Sequence, residues 1–175
     1  MPAFLSGSII KSGRKPTEEE IVSTTSDEFT EKEYKEKVGE LERGWRKEKD
    51  NFLEKLATLS LPIQDEYEIL FTRYGVGGSY GLPNQIQINI DYPRARDLSS
   101  TVFHEIIHLT IEKLIKEHNI DHWTKERLVD LIFGKFFLDK QRLQRDPEKA
   151  DRINEIFKKL FPDIKMIIIE ISKIE

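Results

Sequence analysis

Between Thr101 and Leu109 the chain reads Thr-Val-Phe-His-Glu-Ile-Ile-His-Leu, with His104 and His108 four residues apart and Glu105 directly after the first. On an α-helix that spacing puts two side chains on one face, about 6 Å apart along the axis, where both can reach one ion. Glu105 falls about 100° around the helix from His104, beside such an ion and not on it. From that position a carboxylate can hold a water at the metal, which is the physical content of an H-E-x-x-H pattern. Two of the four histidines in the chain are used here. Phe103, Ile106, Ile107, Leu109 and Ile111 make the segment apolar nearly all round, so the helix belongs at the centre of the fold. A buried helix carrying His, Glu and His must satisfy those polar groups, and a metal ion does so. The competing reading is a hydrogen-bonded pair of core histidines.

Any metal must be held by His, Asp or Glu, because the 175 residues include no cysteine. Disulfides, thiolate chemistry and iron–sulfur clusters are excluded with it. Catalytic zinc takes three protein ligands and keeps one position for water, so a third ligand is needed. Glu112 lies a further turn along the helix, too far from His104 to share an ion, and His118 lies about 15 Å beyond His108 by helical rise. Leu109-Thr110-Ile111 continues the helix, without the glycine turn that would return a third histidine. Glu126 remains, at the first turn of the next helical segment, with Asp130 four residues later on the same face. A helix hairpin turning near Asn119–Trp123 would bring that face against His104 and His108. Asp130 would then accept a hydrogen bond from one ligand histidine and set its tautomer.

His104-Glu105-Ile106-Ile107-His108 followed by Glu126-Arg127-Leu128-Val129-Asp130 resembles the gluzincin arrangement of zinc metallopeptidases, H-E-x-x-H on one helix and E-x-x-x-D on the next. The chain is too short for a two-lobed thermolysin-type enzyme, and its order of elements from Glu31 to Asp139 is similar to that of the minigluzincins. The resemblance implies one zinc ion per chain on His104, His108 and Glu126, and hydrolysis of peptide bonds in peptide or protein substrates. Glu105 would act as general base toward water and then as acid toward the leaving amine. The strand 85–91 would be the edge strand that pairs with an extended substrate, with Gln87 or Asn89 in polar contact. His118, His122 and Tyr80 are candidates for stabilising the oxyanion. Exposed loop positions for the two histidines and hairpin packing for the tyrosine are the competing readings. Minigluzincins also resemble zymogens whose C-terminal segment blocks the cleft. The tail of this chain therefore has two readings, as an inhibitory segment or as completion of the sheet. The alternative function is a catalytically silent zincin-fold interaction or regulatory protein with an occupied cleft.

The elements that must position these residues are legible as patterns. Thr30 with Glu33 three residues later is a capping box, and Tyr34, Val38, Leu41, Trp45, Phe52 and Leu56 recur at helical spacing. They predict one long amphipathic helix over 31–59, ended by Pro62. Alternation predicts strands over 67–72 and 85–91. The glycine-rich stretch 75–84 between them reads as a hairpin loop. A phosphate-binding loop would need a Lys-Ser/Thr and a following helix, whereas here a strand follows. Helices are expected from Asp97, Ser99 or Ser100 to about Glu117, from Thr124 to about Gln144, and from Pro147 to about Phe161, stopped by Pro162. In the tail, Ile167, Ile169 and Ile171 would share one face of a strand, as β-branched density favours, with a final helix as the other reading.

These patterns predict an α+β fold: a small antiparallel sheet packed on a helical bundle, zincin-like, with the H-E-x-x-H helix central. Residues 1–29 read as a flexible polar arm, 30–162 as the metallopeptidase domain and 163–175 as the strand-like tail. The formal net charge of −4 offers nothing to nucleic acid or to an anionic membrane. No leader or membrane-length apolar run is legible, so a cytoplasmic location is expected. Abundant Lys, Glu and Ile with two Met and no Cys match heat-tolerant proteins.

Overall fold

The structure, a computed structural model, describes residues 30–92, 97–137 and 149–174, with positions 17 and 19. Apart from positions 17 and 19 the N-terminal arm lies outside those residues. The second expected helix stops at Phe136, where Phe137 turns to φ −133° and ψ 79°, short of Gln144, and the third begins at Ala150, not at Pro147. From residue 30 onward the first element is α1 (Glu31–Ala57), opened by Thr30, whose side chain accepts from the Glu33 amide. Its buried Phe52 and Leu56 face inward, and Trp45 and Phe52 pack their rings on Phe103, 5.2 and 4.5 Å between centroids. A Cβ on Gly44 would stand 2.5 Å from Ser99 Oγ, so only glycine lets α1 approach the next helix so closely here.

Three strands follow: β1 (Glu68–Thr72), β2 (Gly78–Gly81) and β3 (Gln85–Asn89), in the order β1-β3-β2. β1 runs parallel to β3, and β2 antiparallel to it. The sheet is therefore mixed, not antiparallel. The segment read as a hairpin loop holds a strand of its own, Gly78-Ser79-Tyr80-Gly81. Its two glycines and short length hid it from a search for β-branched alternation. Because β2 takes one side of β3 and β1 the other, β3 is the central strand. The expected edge role of 85–91 is overturned.

Asp97 then opens α2 (Leu98–Glu117), accepting from the amides of Ser99 and Ser100. Phe103, Ile106, Ile107 and Ile111 are fully buried, and the helix is central as its apolar circumference requires. The chain turns through Asn119, at φ 54°, and α3 (His122–Phe136) begins at an Asp121 cap bound to the Trp123 and Thr124 amides. The start lies two residues before the expected Thr124, because the side-chain oxygen of Asp121 claims the first free amides. At the far end, Lys55 of α1 donates to the Phe136 carbonyl at 2.6 Å, which fastens α1 to the C-terminus of α3.

The chain ends in a helical pair, α4 (Ala150–Leu160) and α5 (Ile164–Ser172). Arg127 of α3 donates twice to Asn154 Oδ1, and α5 packs against α2 as well as α4. The tail is thus a helix, and neither a strand nor a completion of the sheet. Ile164, Ile167, Ile168 and Ile171 are its buried residues, at the i, i+3, i+4, i+7 spacing of one helical face. Asp163 caps it by accepting from the Met166 amide. That stripe and cap outweigh the β-preference of isoleucine. Among the described residues, no helix is long and apolar enough to cross a membrane.

Candidate metal centre

The helix α2 presents His104 and His108 on successive turns, with their Nε2 atoms 3.2 Å apart. From the second turn of α3, Glu126 brings Oε2 to 3.4 Å from His108 Nε2 and 3.9 Å from His104 Nε2. The three ligand atoms lie within 4.8 Å of one another, and all three residues are buried. Bonds of about 2.05 Å to a tetrahedral zinc ion would set ligand atoms about 3.3 Å apart. The observed separations bracket that value. The donor set of two imidazoles and one carboxylate suits zinc, and the residues present fit the ion.

Electrostatics agree with the geometry. Burial pushes the Glu126 carboxyl up, but hydrogen bonding to His104 and His108 and their charge outweigh it, and Glu126 is held far below the ordinary carboxylate range. It is an anion ready to ligate. Asp130, one turn farther along α3, places Oδ1 4.0 Å from His104 Nδ1, on the side of the ring away from Glu126. It stands where an orienting carboxylate belongs, at ion-pair distance and beyond hydrogen-bond length.

Glu105 is buried beside the group of His104, His108 and Glu126 and is not among its three residues. Its carboxylate is packed against β2, where a Cβ on Gly78 would stand 2.5 Å from Glu105 Oε1. Two residues on, Tyr80 lays its ring on His108 at 5.0 Å between centroids and 15° between planes. Residues two apart in a strand share a face, so β2 lies along α2 with Gly78 over Glu105 and Tyr80 over His108. The Tyr80 hydroxyl donates to Glu112 Oε2 at 2.6 Å and accepts from Lys125 Nζ at 2.8 Å.

Of the other expected residues, His118, Gln87 and Asn89 fall apart from His104, His108 and Glu126, whereas His122 touches Glu126. His118 is the C-cap of α2, fourteen positions from His104. His122 is exposed, with Nδ1 3.7 Å from Glu126 Oε1. Gln87 is exposed on the central strand. Asn89 is buried in turn-building bonds, donating to the Gly75 carbonyl and accepting from the Asp91 amide, each at 3.0 Å. Glu112 stands outside the three-residue group, and its buried carboxylate accepts from Tyr80. No family model, no curated protein and no solved structure matches the chain.

What sequence reasoning missed is the role of β2 and the Tyr80–Glu112–Lys125 group. Glu112 at four residues past His108 was the available signal, since that spacing puts it one turn farther on the same face.

Proposed function

We propose that this protein is a zinc-dependent peptidase of gluzincin type on a zincin-like plan, hydrolysing peptide bonds with one zinc ion per chain. The observation that carries the reading is the buried group of His104, His108 and Glu126, with Glu105 following the first ligand on the same helix. His104, His108 and Glu126 hold the metal. When bound, zinc supplies Lewis acidity, lowering the pKa of water toward about 7 and polarising a carbonyl.

The remaining work belongs to side chains and backbone. A carboxylate oxygen of Glu105 takes a proton from the attacking water as its oxygen bonds to the peptide carbon. The same carboxyl then gives that proton to the amine nitrogen as the C–N bond breaks. β2 replaces β3 as the substrate strand in this reading. Among the described residues it is an edge of the sheet, it lies along the helix of His104 and His108, and its outer side would offer backbone groups to an extended peptide.

Zinc is counted by elemental analysis in the purified, unsupplemented protein and in Glu105→Gln, and both are assayed on a peptide library. One zinc per chain in each, with hydrolysis lost in the variant, is the expected result. Wild-type hydrolysis in Glu105→Gln removes the assigned base, and failure to take up zinc leaves a core histidine pair. Zinc without hydrolysis in either protein favours a silent interaction protein.

A further inference from the structure

A cleft of about 430 Å³ lies between the last turns of α2 and the start of α3, with Glu112, Ile115, Lys116, Ile120, His122 and Lys125 in its walls. It adjoins the metal-ligand group twice. His122 reaches Glu126 at 3.7 Å, and Glu112 holds the tyrosine that stacks on His108. A substrate whose reacting bond lies at the three ligands has a neighbouring group at this cleft.

The walls are unequally served. The Lys125 side chain is half-buried, 15% exposed, with its ammonium at the cleft wall. Its hydrogen bond goes to a neutral oxygen, that of Tyr80, at 2.8 Å. Glu112 Oε2 stands 3.9 Å away, beyond hydrogen-bond length, with the Tyr80 hydroxyl bonded to both groups. Glu112 by contrast is engaged at both oxygens, Oε2 by Tyr80 at 2.6 Å and Oε1 by Lys116 at 3.3 Å. Two lysines thus share one carboxylate, Lys116 at 3.3 Å and Lys125 at 3.9 Å, and cations outnumber carboxylates in the cleft walls. Ile115 and Ile120 supply an apolar wall for the carbon chain of a ligand.

We propose that this cleft is a subsite for a carboxylate of the substrate, with Lys125 as its specificity-determining partner and Lys116 at the rim. The proposal rests on the peptidase reading and names its substrate class. The carboxylate is either the side chain of an acidic residue near the scissile bond or the terminal carboxylate of a short peptide. Both present the same group to Lys125. A cationic side chain would meet two ammonium groups against one carboxylate, that of Glu112, and is disfavoured.

Two measurements test it. In the first, full-length protein stripped of metal is titrated with N-acetylglutamate α-amide, N-acetyl-leucine and N-acetyl-lysine amide while backbone amide signals of residues 112–125 are followed. One of the carboxylates is expected to shift them saturably, and the tighter of the two identifies the source. Lys125→Gln, which keeps a donor for the Tyr80 hydroxyl, should weaken that binding about tenfold or more. Equal binding of the lysine amide, or binding unchanged in Lys125→Gln, overturns the subsite. In the second, matched peptides with Glu, Leu or Lys beside the cleaved bond, and with free or amidated ends, are compared by kcat/KM. A carboxylate preference of about tenfold that collapses in Lys125→Gln supports the proposal. Hydrolysis indifferent to charge overturns it while leaving the peptidase. Carboxylate binding without hydrolysis of any peptide overturns the peptidase and leaves the subsite.

Discussion

The phenol ring of Tyr80 lies flat on the imidazole of His108, 5.0 Å between centroids and 15° between planes. Metal-binding histidines are ordinarily oriented by a hydrogen bond at the second ring nitrogen. His108 Nδ1 has no such partner among the described residues, so the stack orients this ring. Tyr80 is fixed in turn by Glu112 and Lys125. Burial, the hydrogen bond to Glu112 and the charges of Glu112, Glu126 and Glu105 push its hydroxyl far above the ordinary tyrosine value, which keeps it a donor.

Removal of that ring should loosen the metal. Tyr80→Leu is expected to cost about tenfold or more in zinc affinity, the usual effect of losing a ligand's support. Tyr80→Phe keeps the stack and should lose less. Competition against a chromogenic chelator measures both, and equal affinities for Leu and wild type would show that the stack orients nothing.

Gly78 tests the position of Glu105, the proposed base, without touching any of the three proposed ligands. A Cβ there would stand 2.5 Å from Glu105 Oε1 and 2.6 Å from Thr101 Cγ2, and something must move. Gly78→Ala should keep its zinc and lose about a hundredfold in kcat, the scale of a small misplacement at a reacting group. Zinc content and turnover, measured on the same preparation, decide it.

Removing the tail should unfold the protein. Ile164, Ile167, Ile168 and Ile171 are almost fully buried, and α5 packs on α2. Truncation after Pro162 is expected to give aggregation, not a gain in hydrolysis. Ile168→Ala, a single buried truncation, should cost about 2–5 kcal/mol by denaturant titration. A folded, more active truncated chain would restore the inhibitory reading of the tail.

Acid should act on the metal-free protein through Glu126. Its folded value lies below the ordinary carboxylate value of 4.5, so its contribution to stability is complete above that value. The contribution is lost as pH falls through the folded value. The stability difference between metal-free wild type and Glu126→Gln should therefore hold above about pH 5 and shrink progressively as pH falls below the ordinary carboxylate value of 4.5. A difference that holds constant would place the Glu126 value in the ordinary range.

His104, Glu105 and His108 were legible from the sequence because one helix suffices to place them: spacing alone puts two side chains on a face and a third beside it. The apolar flanks made the helix central, the Thr30 cap started α1, and Glu126 with Asp130 followed from the next amphipathic segment. Each of these depends on contacts within a few residues or on one periodicity.

What the sequence left open was decided by tertiary packing. Which strand became the edge depended on how β1, β2 and β3 shared their hydrogen bonds, and a four-residue strand with two glycines carries almost no local signature. That partition moved Gln87 and Asn89 to the central strand and laid Tyr80 over His108, a partner 28 positions away. The tail held both a β-branched run and a helical stripe, and the core it packs against selected the stripe. Local periodicity determines which face of an element is buried, and only the assembled fold determines what that face meets.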